Sequence, residues 1–330
     1  MSESKEEIIR KLLRAFSGFK PGFCLEGNEL VILDREKALK ALQYNSIDLL
    51  ALYACEIKDE VREIFLQNSL DATIFQVSLL KELERVTSIL SRKKISFFVL
   101  KGFAMKRYYP ADCIRPSSDI DIIIHPDDIC TCMNAFKEAG YELEDEENAE
   151  RQLALHGELN WISPQTPISV ECHWDLINAK SMRKIINFDP DFIFQRPETL
   201  HVEGIEINVL PVPIDLAYLM AHHVLHHQFK KLLWLADVLL ILMTEEVDWK
   251  EFEDTVRHLR LERPVYYYLE AVIRIFGKES LEHLVELKNN LSPRSRRYFF
   301  FAIFNRAESI FRMEQVTARL RDHIFRNAFK

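Results

Sequence analysis

Asp119 and Asp121 flank a single isoleucine in the run Asp119-Ile-Asp121-Ile-Ile-Ile124, and Glu171 stands in a second apolar run, Ile168-Ser-Val-Glu-Cys-His-Trp174. Residues two apart in a strand share a face. Both aspartates therefore project to one side, and Ile120, Ile122 and Ile124 to the other. By the same parity Ser169, Glu171 and His173 lie opposite Ile168, Val170, Cys172 and Trp174. Strands disfavour Asp, and neighbouring carboxylates repel and are costly to bury. A divalent cation removes both penalties. Mg²⁺ or Mn²⁺ with oxygen ligands fits better than zinc, since no Cys or His sits in the Asp-Ile-Asp pattern. If the two strands lie side by side with their apolar faces aligned, Glu171 meets the aspartates. Three acids on one side of a sheet are what two-metal phosphoryl or nucleotidyl transfer requires: one ion lowers the pKa of the attacking hydroxyl, the other neutralises the leaving pyrophosphate. Without a cation, repulsion among the three acids is expected to destabilise the chain, so Asp121→Asn is expected to melt no lower than the parent.

The elements that must position these acids follow from hydrophobic period. Helical spacing holds from Glu6 to about Lys94, with Ile8, Ile9, Leu12 and Leu13 in one stripe and Val77, Leu80, Leu83, Val86 and Ile89 in another; Gly18, Pro21, Gly22 and Gly27 break it. Ile95–Leu100 is a short apolar run expected to be a buried strand. Gly102–Tyr109 is expected to form one or two helical turns before Pro110, Asp119–Ile124 a strand, and Ile129–Ala139 a helix stopped by Gly140. Leu153–Ile162 and Ile168–Trp174 flank Pro164-Gln-Thr-Pro167, a hairpin signal, and Ile205, Ile207 and Val209 alternate as one more strand. Helical spacing returns after Pro213, through Leu216–Met243, Trp249–Leu259, Val265–Phe276 and Ser295–Phe325. The expected fold is α+β, a small mixed sheet in residues 95–212 between helical regions at 1–94 and 213–330.

Composition narrows the function classes. The chain has 330 residues, 48% hydrophobic and 28% charged, with Gly scarce (8) and Phe abundant (22), which excludes wholesale disorder and favours helices. Its net charge of −8 argues against sequence-blind nucleic-acid binding. The amino-terminal helix pattern carries acids and does not read as a secretory signal. No apolar run reaches the ~18 residues of a membrane span. Six cysteines without dense spacing read as reduced thiols, Cys130 and Cys132 included, and point to a cytoplasmic protein.

Taken together, Phe98-Val-Leu-Lys-Gly102, Tyr109-Pro, Arg115, Asp119-Ile-Asp121 and Val170-Glu-Cys-His-Trp174 resemble the DNA polymerase β-like nucleotidyltransferase superfamily, and most closely its bacterial family of uncharacterised nucleotidyltransferases. In that family the acid strand is followed by a His-rich helix and a Trp-Leu-x-Asp segment, matched here by His222-His-Val-Leu-His-His227 and Trp234-Leu-Ala-Asp237. The resemblance spans about residues 80–245. It implies a polymerase β-like palm, with Asp119 and Asp121 holding two metals and Glu171 the catalytic one, NTP as substrate and a hydroxyl acceptor. It further implies that Gly102 opens the helix whose amides receive the triphosphate, with Lys101, Arg115 and Ser118 beside it. Two departures stand out. Phe103 follows Gly102 where the superfamily has a small residue, so backbone amides and Lys101 must replace a serine hydroxyl. Glu171 stands where many relatives carry Asp.

Other readings stay beside these. Lys101 at a strand end is either a surface lysine or a phosphate ligand, and Arg115 pairs either with a phosphate or with Asp119. His222 and His226, like His223 and His227, are four apart and share a helix face, but spacing fixes no third ligand. That helix is therefore expected to pack and hydrogen-bond and to hold no essential metal, with Lys230 and Lys231 as alternative triphosphate guides. The aromatic runs Tyr266–Tyr268 and Tyr298–Phe301 read as helix core. The activity expected is transfer of a nucleoside monophosphate to a small molecule or protein. RNA is disfavoured by charge unless the carboxy-terminal arginines form one face. The rival is a non-catalytic nucleotide-binding or protein-interaction module, favoured by Phe103.

Overall fold

After a small hairpin of β1 (Phe23–Glu26) and β2 (Glu29–Ile32), five strands form the central sheet: β3 (Phe97–Leu100), β4 (Asp119–Ile124), β5 (Glu142–Leu143), β6 (Glu158–Ile162) and β7 (Ser169–His173). A computed structural model describes residues 4–18, 21–58, 60–177, 186–227, 231–276 and 282–291. The order across the sheet is β3-β4-β7-β6-β5. The β4 and β7 strands run parallel, and every other neighbouring pair is antiparallel. This is the mixed sheet that the sequence leads one to expect, flanked by helices.

The chain divides into two compact units, and the sheet belongs to the one built from residues 69–109 and 114–215. Its core is made by the apolar parity of the strands. Ile120, Ile122, Val170, Cys172, Leu159 and Trp161 are buried on one face. They pack with Leu83 and Val86 of the long helix α4 (Val61–Arg92) and with Ala135 and Phe136 of α5 (Ile129–Glu138). Gly140 takes φ +84, the left-handed conformation that ends α5 without a Cβ penalty. The turn between β6 and β7 is pinned from below. Glu82 on α4 is 2% exposed and accepts hydrogen bonds from Ser163 (2.8 Å), Thr166 (3.1 Å) and the Tyr141 hydroxyl. A three-partner acceptor satisfies that carboxylate in place of water, and it fixes the register of the hairpin above it.

The other unit comprises residues 1–68, 110–113 and 216–330. Within it α1 (Lys5–Ser17) packs on α3 (Asp48–Ala54) and on two helices from the far end of the sequence, Leu232–Thr244 and Glu262–Phe276. Asn45 ties the same ends together, since its side-chain and backbone oxygens accept from the Leu232 and Leu233 amides. No helix among the described residues is long and apolar enough to cross a membrane.

Several local expectations change. Residues Ala149–Leu155 form a helix, so the strand expected from Leu153 begins only at Glu158. Leu153 instead packs from that helix onto the sheet core. The Gly-rich interval holds a small hairpin, Phe23–Glu26 with Glu29–Ile32. Strand Ile205–Val209 pairs with Glu198–Val202, which carries too few apolar residues to signal itself. Gly102–Tyr109 supplies a single 3₁₀ turn, Ala104–Arg107. The helix expected over Leu216–Met243 is interrupted: Val212–His222 runs into a π-helical segment, His223–His227, and a new helix starts at Leu232. The expectations for Lys230, Tyr298–Phe301, Ser295–Phe325 and the carboxy-terminal arginines lie outside the described residues.

Candidate active site

The face of the sheet opposite the core carries the acids. Cross-strand register makes that face a grid. Leu100, Asp121, Glu171 and Asn160 form one row. Phe98, Ile123, His173 and Glu158 form the next, and Asp119 pairs with Ser169 in the row before. The parallel pairing of β4 with β7 thus sets Asp121 directly opposite Glu171.

The side chains converge around one oxygen. Asp121 Oδ1 lies 2.6 Å from Lys101 Nζ and 3.2 Å from His173 Nε2. His173 Nε2 is also 3.6 Å from Glu171 Oε2, and its Nδ1 is 3.0 Å from Glu158 Oε2. Asp121, Glu171 and His173 each offer a donor atom within 4.8 Å of the others. Asp119 shares the face but is not part of that triple; its Oδ2 accepts from Ser118 Oγ at 3.3 Å. Lys101 reaches the cluster through an unusual backbone. Its φ of +42 breaks the alternation of β3, a conformation that non-glycine residues adopt rarely and that recurs at functional sites.

Charge decides the ionisation of the group. Burial pushes Asp121 up, but the Lys101 ammonium and the His173 imidazole outweigh it and hold its carboxyl below the usual range. Burial lowers His173, yet its bonds to Asp121, Glu158 and Glu171 win and raise it well above an ordinary imidazole. Glu171 and Asp119 shift the other way. Burial raises both, and the Asp121 charge adds to each rise. The penalty expected from bare acids is therefore borne by Asp119 and Glu171, while Asp121 is compensated by two cations. The expectation that Asp121→Asn melts no lower is corrected on this ground.

The remaining sequence candidates take defined places. Arg115 is 8% exposed, donates to the Pro116 carbonyl at 3.1 Å, and its charge lowers Asp119. Gly102 sits against the loop before β4, where an added Cβ would stand 3.1 Å from Ser117 Oγ. Phe103 is 4% exposed and belongs to the sheet core, so its ring turns inward. The ring therefore leaves the turn's backbone uncovered, while the serine hydroxyl it replaces stays missing. The turn itself is anchored by Arg107, which donates to Asp215 and Glu198, both at 2.8 Å. A four-residue 3₁₀ turn offers no helix start, so the helical anion site implied for Gly102 is replaced by whatever backbone amides the turn presents.

His173 and Glu158 are the residues that sequence reasoning missed. His173 shares the parity of Glu171, so the signal is in the sequence, but an imidazole stands outside the oxygen-donor pattern that the paired acids set. Glu158 acts through cross-strand register, which the sequence does not print.

The His-rich segment follows a different geometry from the one its spacing suggests. His222 and His226 do stack, with centroids 4.6 Å apart, but the π-helical register also brings His222 Nε2 to 2.9 Å from His227 Nε2. The His227 ring stacks on Trp234 at 3.6 Å. Lys231 lies over the Trp234 ring at 5.9 Å and donates to Ser46 Oγ at 3.4 Å, contacts inside the helical unit.

Residues 26–277 match the model of a family described as uncharacterised nucleotidyltransferase, which is more than half of the chain. No curated protein matches it.

Proposed function

Because the chain belongs to the uncharacterised nucleotidyltransferase family, we propose that it moves a nucleoside monophosphate from an NTP to the hydroxyl of a small molecule or protein, releasing pyrophosphate. The observation that carries this reading is the pairing of Asp121 with Glu171 across parallel strands, on the sheet face that also holds Lys101. The donor set fits a divalent cation, with oxygens of two acids and a ring nitrogen mutually within 4.8 Å. Asp119, Asp121 and Glu171 would hold two ions, Mg²⁺ or Mn²⁺, and such ions supply the positive charge that acidifies the acceptor hydroxyl and neutralises pyrophosphate.

The chain's own groups account for the rest. Lys101 brings an ammonium beside the acids, where entering triphosphate oxygens can share it with Asp121. Gly102 lets the backbone approach the phosphates closely, with Ser118 and Arg115 alongside. Glu171, raised by burial, is suited to take the proton of the attacking hydroxyl. In-line displacement then needs positioning and charge more than covalent chemistry.

Two results test this. Purified chain given each α-labelled NTP with Mg²⁺ or Mn²⁺, with and without cell extract, should release pyrophosphate and place label on a metabolite or protein. Label confined to nucleic acid, or no turnover with any NTP, contradicts the proposal. Gly102→Val should weaken NTP binding by about tenfold or more, the equivalent of ~1.4 kcal/mol, because a β-branched side chain presses on Ser117. Unchanged affinity by calorimetry removes Gly102 from the site.

A further inference from the structure

We propose that His173 is itself a metal ligand through Nε2, that Glu158 orients its ring for that role, and that the site therefore favours a first-row transition ion over Mg²⁺. The inference rests on the nucleotidyl-transfer reading in taking a divalent cation as cofactor, and goes beyond it in the donor set and the metal class.

Geometry comes first. An octahedral ion with bonds of about 2.1 Å sets adjacent donors about 3.0 Å apart. The separations from His173 Nε2 to Asp121 Oδ1 (3.2 Å) and Glu171 Oε2 (3.6 Å) approach that edge length. The third edge, between the Asp121 and Glu171 oxygens, lies within 4.8 Å, so the three donors can close on one ion and leave its other positions for phosphate oxygens and water. Asp121 and Glu171 are cross-strand partners and His173 follows Glu171 by two, so the face is set by strand pleat and register rather than by a loop.

Glu158 supplies the second argument. It pairs directly with His173 across the antiparallel β6 and β7, and its Oε2 lies 3.0 Å from Nδ1. A ligating histidine characteristically gives its other N–H to a carboxylate, which fixes the tautomer and aims the lone pair at the metal. With the Nδ1 proton held by Glu158, Nε2 faces Asp121 and Glu171. Ligation uses the Nε2 lone pair, so any proton on that nitrogen is released as the ion binds. The His173 side chain is 5% exposed, so the ring has no solvent-facing role.

Imidazole changes the choice of metal. Nitrogen donors raise affinity along the first-row series, whereas Mg²⁺ prefers oxygen. The site should accordingly prefer Mn²⁺ to Mg²⁺ by a margin that depends on His173.

Metal-free full-length chain, titrated with Mn²⁺ alone and then with a non-hydrolysable NTP, tests this by electron paramagnetic resonance. Bound Mn²⁺ should show the ¹⁴N echo modulation of one imidazole, replaced by the ¹⁵N pattern in protein grown on ¹⁵N-histidine. The modulation should vanish in His173→Gln and persist in His227→Gln. The latter arm keeps the assignment testable should His173→Gln fail to fold. Glu158→Gln should retain the modulation but bind Mn²⁺ about tenfold more weakly, with Glu158→Asp recovering part of the loss. His173→Gln should narrow the gap between Mn²⁺ and Mg²⁺ affinities. Mn²⁺ bound without nitrogen coupling, or coupling that survives in folded His173→Gln, overturns the inference and leaves nucleotidyl transfer standing. Failure to bind Mn²⁺ with or without nucleotide overturns both.

Discussion

Asp121→Asn should lose turnover by roughly 10³-fold, the several kcal/mol of charge stabilisation that a metal contributes, and should also melt below the parent chain. Its carboxylate sits 2.6 Å from Lys101 Nζ and 3.2 Å from His173 Nε2, and is 3% exposed. The carboxyl is held below its ordinary range in the folded chain. Folding therefore favours the anion, and the stabilisation is present at neutral pH and lost as pH falls through the folded value. The amide keeps the shape and removes the charge that faces Lys101 Nζ and His173 Nε2. Breaking one side of a buried pair costs about 3–5 kcal/mol. The low end applies here, because His173 keeps Glu158 and Glu171. Differential scanning calorimetry without metal should show a fall in Tm on the order of 5 °C. A variant that melts with or above the parent places the cations elsewhere.

Glu171→Gln should separate catalysis from stability. Glu171 is 26% exposed, and burial raises its carboxyl, with the Asp121 charge adding to the rise. The anion is thus disfavoured by folding, the reverse of Asp121. Replacing it with an uncharged isostere removes a penalty, so Tm should be unchanged or higher. Turnover should still fall roughly 10²–10⁴-fold, the range for losing a positioned general base, while nucleotide affinity changes little. Two neighbouring acids, paired across one strand boundary, should therefore move Tm in opposite directions and turnover in the same one. Equal losses of Tm would mean that both acids serve the fold alone. Loss of nucleotide binding in Glu171→Gln would assign that residue to the triphosphate.

What the sequence carried about this site was its local part. A strand repeats every two residues, so the shared face of Asp119 and Asp121, and of Glu171 and His173, is readable wherever a strand is recognised. Apolar alternation also sets which faces align, and that brought Glu171 beside the aspartates. Lys101 shows where locality ends. Its strand parity turns it away from the acids, and only a φ of +42 brings Nζ to Asp121. Glu158 depends on a register held by a turn that is pinned from α4 through Glu82, dozens of residues upstream. The His-rich segment keeps the His222–His226 contact that four-residue spacing announces, but the π-helical register adds a His222–His227 pair that the spacing does not print. Phe103 shows the limit of position without direction: sequence tells that a serine hydroxyl is replaced there, and only the fold tells that the ring turns into the core.

The central claim is that the acid face of the sheet transfers the α-phosphoryl group with its nucleoside. Its most direct measurement compares α-labelled with γ-labelled NTP in single-turnover reactions of the parent chain, Asp121→Asn and Glu171→Gln, each with Mn²⁺ and cell extract as the source of acceptor. The parent should place only the α label on the acceptor and release the γ label as pyrophosphate, and both variants should do neither on that timescale. Transfer of the γ label, or α transfer that persists in Asp121→Asn, would contradict the account.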